Sequence, residues 1–117
     1  MPNSFTGIGG WTIGLRDNGS LTDAASITVQ NNGLSTLSTQ QASLTLNVDL
    51  SGSEIPNFAV EISAGVDCTV TVQKTVGSTS TVLNYATAAG NEIKAGKFYQ
   101  LTCVGSCWTI AEFEAPA

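Results

Sequence analysis

Hydrophobic and polar residues alternate along three segments of the chain. The clearest segment is Ser43–Leu50, in which every second residue is leucine or valine. The same two-residue period returns at residues 58–62 and 68–72. Because successive side chains of a β-strand point to opposite faces, this alternation predicts half-buried strands that share one core.

Runs of β-branched and aromatic residues predict further strands at 11–15, 26–29, 81–85, 98–104 and 107–113. Glycine, asparagine and serine lie between most of the runs, as in Gly77-Ser78 and Ala95-Gly96. About eight strands with a turn every ten residues or so predict an all-β fold. We expect a single antiparallel β-sandwich, jelly-roll-like in its connections.

Two further segments have patterns other than strand alternation. Residues 35–42 carry leucine spacing that permits one turn of helix at most, because serine and threonine disfavour a longer one. Asp17-Asn18-Gly19 fits a type I′ hairpin turn, and it lacks the further oxygen ligands of a calcium loop.

No repeat of fixed period and no long linker divides the 117 residues. We expect one domain over residues 11–117, preceded by a flexible N-terminal arm at residues 1–10. Three glycines loosen this arm, which carries Phe5 and Ile8 as bulky apolar groups. The arm either orders on a neighbouring molecule or frays as a terminus.

The composition narrows the classes of partner. Only 11% of the residues are charged, so serine, threonine, asparagine and glutamine must supply most surface polarity. With four cations and a net charge of −5, nucleic-acid binding is not expected. The chain has neither a signal-peptide pattern nor a run of roughly 20 apolar residues, so we expect synthesis in a cytoplasm and no membrane partner.

The chain lacks the residues of common catalytic sites. There is no histidine, and no GxGxxG, P-loop or GxSxG motif occurs. Three cysteines without histidine are too few for a zinc site. We therefore expect no enzymatic activity, no cofactor and no metal.

Cys103 and Cys107 flank Val104-Gly105-Ser106. A three-residue hairpin loop with Gly105 in the left-handed conformation would place the two cysteines opposite each other and permit a disulfide. The odd cysteine count and the expected cytoplasmic origin favour free thiols instead.

Two apolar regions are candidate interfaces with a partner or between protomers. One comprises Phe5, Ile8 and Trp11 at the start of the chain. The other is the last predicted strand, where Trp108 and Ile110 lie on one face and Phe113 on the other. A strand that is apolar on both faces is often covered by a partner as well as by its own core.

Three features are similar to one family: the closing stretch Ala95 to Phe113 (AGKFYQLTCVGSCWTIAEF), the glycine-bearing arm and the threonine-rich β pattern. In these features the chain resembles capsid decoration (cement) proteins of tailed bacteriophages. The resemblance implies a β-sandwich or jelly-roll protomer. It also implies a homotrimer, made in the host cytoplasm, that binds the major capsid protein on the capsid surface and stabilises the shell. Residues 2–10 would then hold the capsid.

Two other classes remain open. A carbohydrate- or receptor-binding module, such as part of a head fibre or tail spike, predicts exposed aromatic side chains. A secreted adhesin-like subunit predicts an oxidised Cys103–Cys107 pair.

Overall fold

The computed structural model describes residues 14–85 and 91–113, and the side chain of Phe113 lies outside that description. Within these residues the chain is all-β, without a helix. It forms eleven strands: β1 (Arg16–Ser20), β2 (Ser26–Val29), β3 (Gly33–Thr39), β4 (Ser43–Leu50), β5 (Asn57–Ala64), β6 (Cys68–Val76), β7 (Thr79–Val82), β8 (Asn84–Tyr85), β9 (Glu92–Ile93), β10 (Phe98–Val104) and β11 (Cys107–Phe113).

The strands form two packed sheets. Sheet A has the order β1-β3-β5-β10-β11-β8, and sheet B has the order β2-β4-β6-β7, with β9 also paired to β6. From β1 to β6 the chain alternates between the two sheets, and each strand pairs in parallel with the strand two places earlier. Residues 16–76 therefore wind as a β-solenoid of three stacked turns, which we call the coil.

Asparagines at the corners hold successive turns of the coil together. The amide of Arg16 donates to the carbonyl of Asn32 at 2.9 Å, and the amide of Asn32 donates to the carbonyl of Asn57 at 2.6 Å. The side chain of Asn31 accepts from the Asn57 amide at 2.8 Å and donates to the Ile55 carbonyl at 3.1 Å. These bonds satisfy backbone groups that a sheet ladder cannot reach at a corner.

The later strands close the domain by antiparallel pairing. β10 pairs with β5, and β11 pairs with β10. At the free edge of β6, β7 and β9 pair with its two ends. Between β7 and β8 the chain passes from sheet B to sheet A at the buried Leu83, whose amide donates to the Val72 carbonyl at 2.8 Å.

The core lies between the sheets. Alternate residues of β4 and β6 face inward from sheet B, and those of β5, β10 and β11 face them from sheet A. The fully buried side chains include Leu44, Leu46, Val48, Phe58, Val60, Ile62, Val70, Val72 and Leu101. At roughly 1.5–3 kcal/mol for each large apolar side chain, this burial is the main stabilising contribution.

The two-sheet all-β architecture agrees with the sequence prediction, but its details differ. The antiparallel jelly-roll prediction is wrong for β1 to β6, which pair in parallel, and eleven strands replace the expected eight in the described residues. The single helical turn that the sequence permitted at residues 35–42 does not form, because residues 33–39 are β3. Residues 1–10, predicted as an arm, lie outside the described residues.

Asp17-Asn18-Gly19 is not a hairpin turn. It lies within β1, where the register to β3 shifts between Asp17 and Gly19. Gly19 has φ of 70°, and its amide donates to Asp17 Oδ1 at 3.0 Å. Asp17 and Gly19 thus form a β-bulge, which twists an edge strand and disfavours pairing with another chain.

Candidate interaction surfaces

The predicted interface residues fall into different environments. Trp108 is a core residue, only 2% exposed, because its row of β11 faces sheet B. Its indole Nε1 donates to the Leu83 carbonyl at 3.2 Å, and its ring lies 4.5 Å from that of Tyr85. This corrects the prediction of Trp108 as a surface contact, since it has almost no surface to offer.

Ile110 is half-buried and packs against the same core. Phe5, Ile8 and Trp11 lie outside the described residues, as does the side chain of Phe113. The two predicted interface side chains that the structure describes, Trp108 and Ile110, both lie on the inner face of β11.

The cysteines are free. The β10–β11 loop has two residues rather than the expected three, so Val104 pairs with Cys107 and Cys103 pairs with Trp108. Gly105 does adopt the left-handed conformation, with φ of 69°. Because neighbouring residue pairs alternate between faces, Cys103 points into the core and Cys107 points to solvent. The hairpin thus keeps the two thiols apart.

Within residues 14–85 and 91–113, no three or more cysteine, aspartate or glutamate side chains cluster as potential metal ligands. The same residues contain no helix long and apolar enough to cross a membrane. The candidate functional features of the described residues considered below are surfaces.

The outer face of sheet B is a regular array of hydroxyl and amide groups. Strands β2, β4 and β6 each carry a triplet of serine or threonine, an apolar residue and threonine: residues 26–28, 43–45 and 69–71. The register aligns Ser26, Thr45 and Thr71 in one row across the three parallel strands. We call these outward residues of β2, β4 and β6 the hydroxyl-amide face: Ser26, Thr28, Ser43, Thr45, Asn47, Asp49, Thr69, Thr71, Gln73 and Thr75.

Hydrogen bonds fix part of this face. Asn47 is 8% exposed, and its side-chain oxygen accepts from Gln73 Nε2 at 3.2 Å and from Thr75 Oγ1 at 2.6 Å. Its Nδ2 donates to Asp49 Oδ1 at 2.7 Å. The side chains of this network are therefore held in place before any partner binds, which reduces the entropy lost on binding.

Exposed apolar side chains lie near one another at one end of sheet A. Ile55 is 64% exposed and Val104 is 61% exposed. Val104 pairs with Asn57 on one side and with the exposed Cys107 on the other, and the next residue, Gly105, donates its amide to the Pro56 carbonyl at 2.9 Å. We call Ile55, Val104 and Cys107 the hairpin-end patch.

The outer face of sheet A is unusual because it contains buried residues. Leu34 and Ala59 are opposite each other on β3 and β5, and they are 3% and 1% exposed. Leu15 packs against this pair. On the same face Gln100 is fully buried, and its register partner on β5 is the half-buried Glu61.

Two oxygens on this face have no hydrogen-bond donor, Glu61 Oε2 and Gln100 Oε1. Burial raises the pKa of the Glu61 carboxyl above its ordinary value. Nearby lies a cavity of about 240 Å³ lined by residues that include Ser38, Ser63 and Phe98. Glu61 and Gln100 occupy positions that alternation assigns to solvent, so the burial on this face has no signal in the sequence.

Comparison of the chain with protein-family models, with curated proteins and with solved structures found no match.

Proposed function

We propose that this protein is a structural virion protein, a capsid decoration protein that binds the outer surface of the capsid as a homotrimer and stabilises the shell. Its partner is the major capsid protein, and its site of action is the virion surface after synthesis in the host cytoplasm. The observation that carries the proposal is the hydroxyl-amide face of sheet B.

The hydroxyl-amide face has the properties that a docking surface on a shell requires. Asp49 is the only charged residue of the set, so burying the face desolvates few charges. Its threonines and serines lose little rotamer entropy on contact. A weak contact of this kind suffices when many copies bind one shell and each oligomer binds through several subunits.

The hairpin-end patch is our candidate for the contact between protomers. Exposed apolar side chains that lie near one another on a chain with few charges favour association. A symmetric oligomer would bury Ile55 and Val104, which otherwise remain in water. This patch replaces Trp108 as the proposed protomer contact.

Two findings favour this proposal over the alternatives. A sugar-stacking module needs exposed aromatic rings, but the aromatic side chains whose exposure is described are buried or half-buried: Phe58, Tyr85, Phe98, Tyr99 and Trp108. An adhesin with an oxidised hairpin needs Cys103 beside Cys107, and the register separates them.

Co-sedimentation with purified shells of the major capsid protein encoded in the same genome tests the capsid contact. Thr28→Lys with Thr69→Lys places two charges on the hydroxyl-amide face, and we expect it to weaken binding at least tenfold. Ser53→Lys, in the exposed β4–β5 turn, is the matched control and should bind like the unmodified protein. Failure of the unmodified protein to bind, or equal binding by the double variant, would overturn the proposal.

Native mass spectrometry tests the protomer contact. We expect a trimer for the unmodified protein and a monomer for Ile55→Asp with Val104→Asp. Val66→Asp, which adds a charge to the exposed β5–β6 turn, should remain trimeric. A trimer that survives the double substitution would exclude the hairpin-end patch as the contact.

A further inference from the structure

Two asparagines of the chain are followed directly by glycine, in Asn18-Gly19 and Asn32-Gly33. This dipeptide is especially prone to deamidation, because glycine has no Cβ to keep its amide nitrogen away from the preceding side chain. In the reaction the glycine nitrogen attacks Cγ of asparagine, and the side-chain nitrogen leaves as ammonia with the amide proton. Water then opens the succinimide ring to aspartate or isoaspartate. The two sites are alike in sequence, but their structural environments differ.

Hydrogen bonds hold Asn32 at a corner of the coil. Its backbone amide donates to the Asn57 carbonyl at 2.6 Å, and its carbonyl accepts from the Arg16 amide at 2.9 Å. Its side-chain Oδ1 accepts from Asn57 Nδ2 at 3.1 Å, and the next residue, Gly33, is buried. Ring closure would have to turn the Asn32 side chain away from Asn57 and move the buried Gly33 backbone. The fold therefore opposes deamidation at Asn32.

Asn18 is the extra residue of the β-bulge in β1. The register to β3 passes from Asp17 directly to Gly19, so Asn18 has no register partner on that strand. Asn18 and Gly19 are both exposed, and no described residue forms a hydrogen bond with the Asn18 side chain. The attacking amide, that of Gly19, donates to the exposed side chain of Asp17 at 3.0 Å. Ring closure at Asn18 thus disturbs an exposed contact within the bulge, at a position that water reaches.

We propose that Asn18 deamidates in the folded protein and becomes aspartate or isoaspartate, whereas Asn32 is protected. The change adds a carboxylate next to Asp17 on an edge strand. Isoaspartate also lengthens the backbone of β1 by a methylene group, at the point where its pairing with β3 is already interrupted. This modification of the coil does not depend on capsid binding.

Peptide mass spectrometry can follow deamidation at both sites in one sample of the unmodified protein, incubated in mildly alkaline buffer. In the folded protein we expect Asn18 to react about tenfold faster than Asn32 or more, a factor that corresponds to about 1.4 kcal/mol of contacts retained by Asn32. In urea the two rates should become similar, because unfolding removes those contacts. The proposal would be overturned by equal rates in the folded protein, by a difference of the same size in urea, or by an Asn18 that reacts only in urea.

Asn57→Ala tests the protection of Asn32 by its side-chain contact. Without the Asn57 amide, Asn32 Oδ1 loses its donor, so deamidation at Asn32 should rise roughly threefold or more while the rate at Asn18 stays the same. Asn84→Ala, at an exposed position of β8, is the matched control and should alter neither rate. Circular dichroism establishes that both variants are folded. An unchanged Asn32 rate in folded Asn57→Ala would contradict this basis for the protection of Asn32.

Discussion

At the scale of single residues, Asp23 joins two segments of the coil. Its carboxylate accepts from Thr39 Oγ1 at 2.7 Å and from the Gln40 amide at 2.9 Å, and Thr39 is fully buried. These hydrogen bonds, that from Thr39 foremost, lower the pKa of Asp23. The charged form of Asp23 is thus the one that the folded state prefers.

Asp23→Ala should lower the free energy of unfolding by about 1 kcal/mol at pH 7, an amount discounted because the carboxylate is partly exposed to solvent. A carboxyl whose pKa is lowered in the folded state stabilises the protein at pH values above its unfolded-state pKa of about 3.9. This contribution is lost as the pH falls through the folded-state pKa. Urea unfolding should therefore show the two proteins converging in stability below about pH 4. Glu112→Ala, which removes an exposed carboxylate, should show a smaller effect, and a constant Asp23→Ala difference at all pH values would contradict the argument.

The three thiols should differ in reactivity. Burial raises the pKa of Cys103 to about 12 and also raises that of Cys68, whereas Cys107 is exposed. Because the thiolate is the reactive form, iodoacetamide should modify Cys107 alone in the native protein and all three after unfolding. Peptide mass spectrometry checks this, and Cys107→Ser should abolish native labelling. A Cys103–Cys107 disulfide in the native protein would show that the register is wrong.

At the scale of the elements, the strands with clean alternation were predictable. The sequence gives β2, β4, β10 and β11 with the bounds that the structure has, and it gives the central parts of β5 and β6. In these strands the core-facing residues are apolar and the pattern is local. The turn at Gly77 was placed correctly, and Gly105 has the positive φ that was predicted for it, although its loop is one residue shorter than expected.

Strand β3 shows why the strands without clean alternation could not be predicted from the sequence. Its inward-facing row includes the buried Ser35 and Thr39, while Leu34 points outward and is buried there. The apolar residues Leu34 and Leu37 consequently stand three apart, a spacing typical of a helix. The burial that makes Leu34 a strand residue comes from the fold around it and leaves no local signal.

Gly33 begins β3 where the backbone passes close to its neighbours. A Cβ at this position would overlap the Asn18 side-chain amide and would lie 2.8 Å from the Gln30 carbonyl oxygen. Gly33→Ala should therefore destabilise the protein by roughly 1–3 kcal/mol, because the Gln30 backbone cannot move aside as a side chain can. Urea unfolding measures this, with Ser26→Ala on the exposed face of β2 as the control. Equal stability of the two variants would show that the corner is looser than this geometry implies.

At the scale of the whole molecule, pairing partners are the part of the fold that the sequence does not reveal. Arg16 pairs with Gly33, 17 residues later, whereas Leu34 pairs with Ala59, 25 residues later. The unequal lengths of the turns hide the coil from a search for a fixed period. The candidate surfaces depend on the same pairing, because only the register aligns the hydroxyl triplets of β2, β4 and β6 into rows.

Because both sheets bury their inner faces in one core, they should unfold together. Leu46 is fully buried on β4 of sheet B, and Trp108 lies on β11 of sheet A in the same core cluster. In a Trp11→Phe background, Trp108 is the one remaining tryptophan and reports on sheet A. Leu46→Ala should lower the free energy of unfolding by about 2–5 kcal/mol. The urea midpoints of the curves followed by tryptophan fluorescence and by far-ultraviolet circular dichroism should therefore fall by the same amount. Val82→Ala, at an exposed position of β7, should leave both curves nearly in place. If the fluorescence curve kept its midpoint while the dichroism curve moved, the two sheets would be separate folding units rather than two faces of one core.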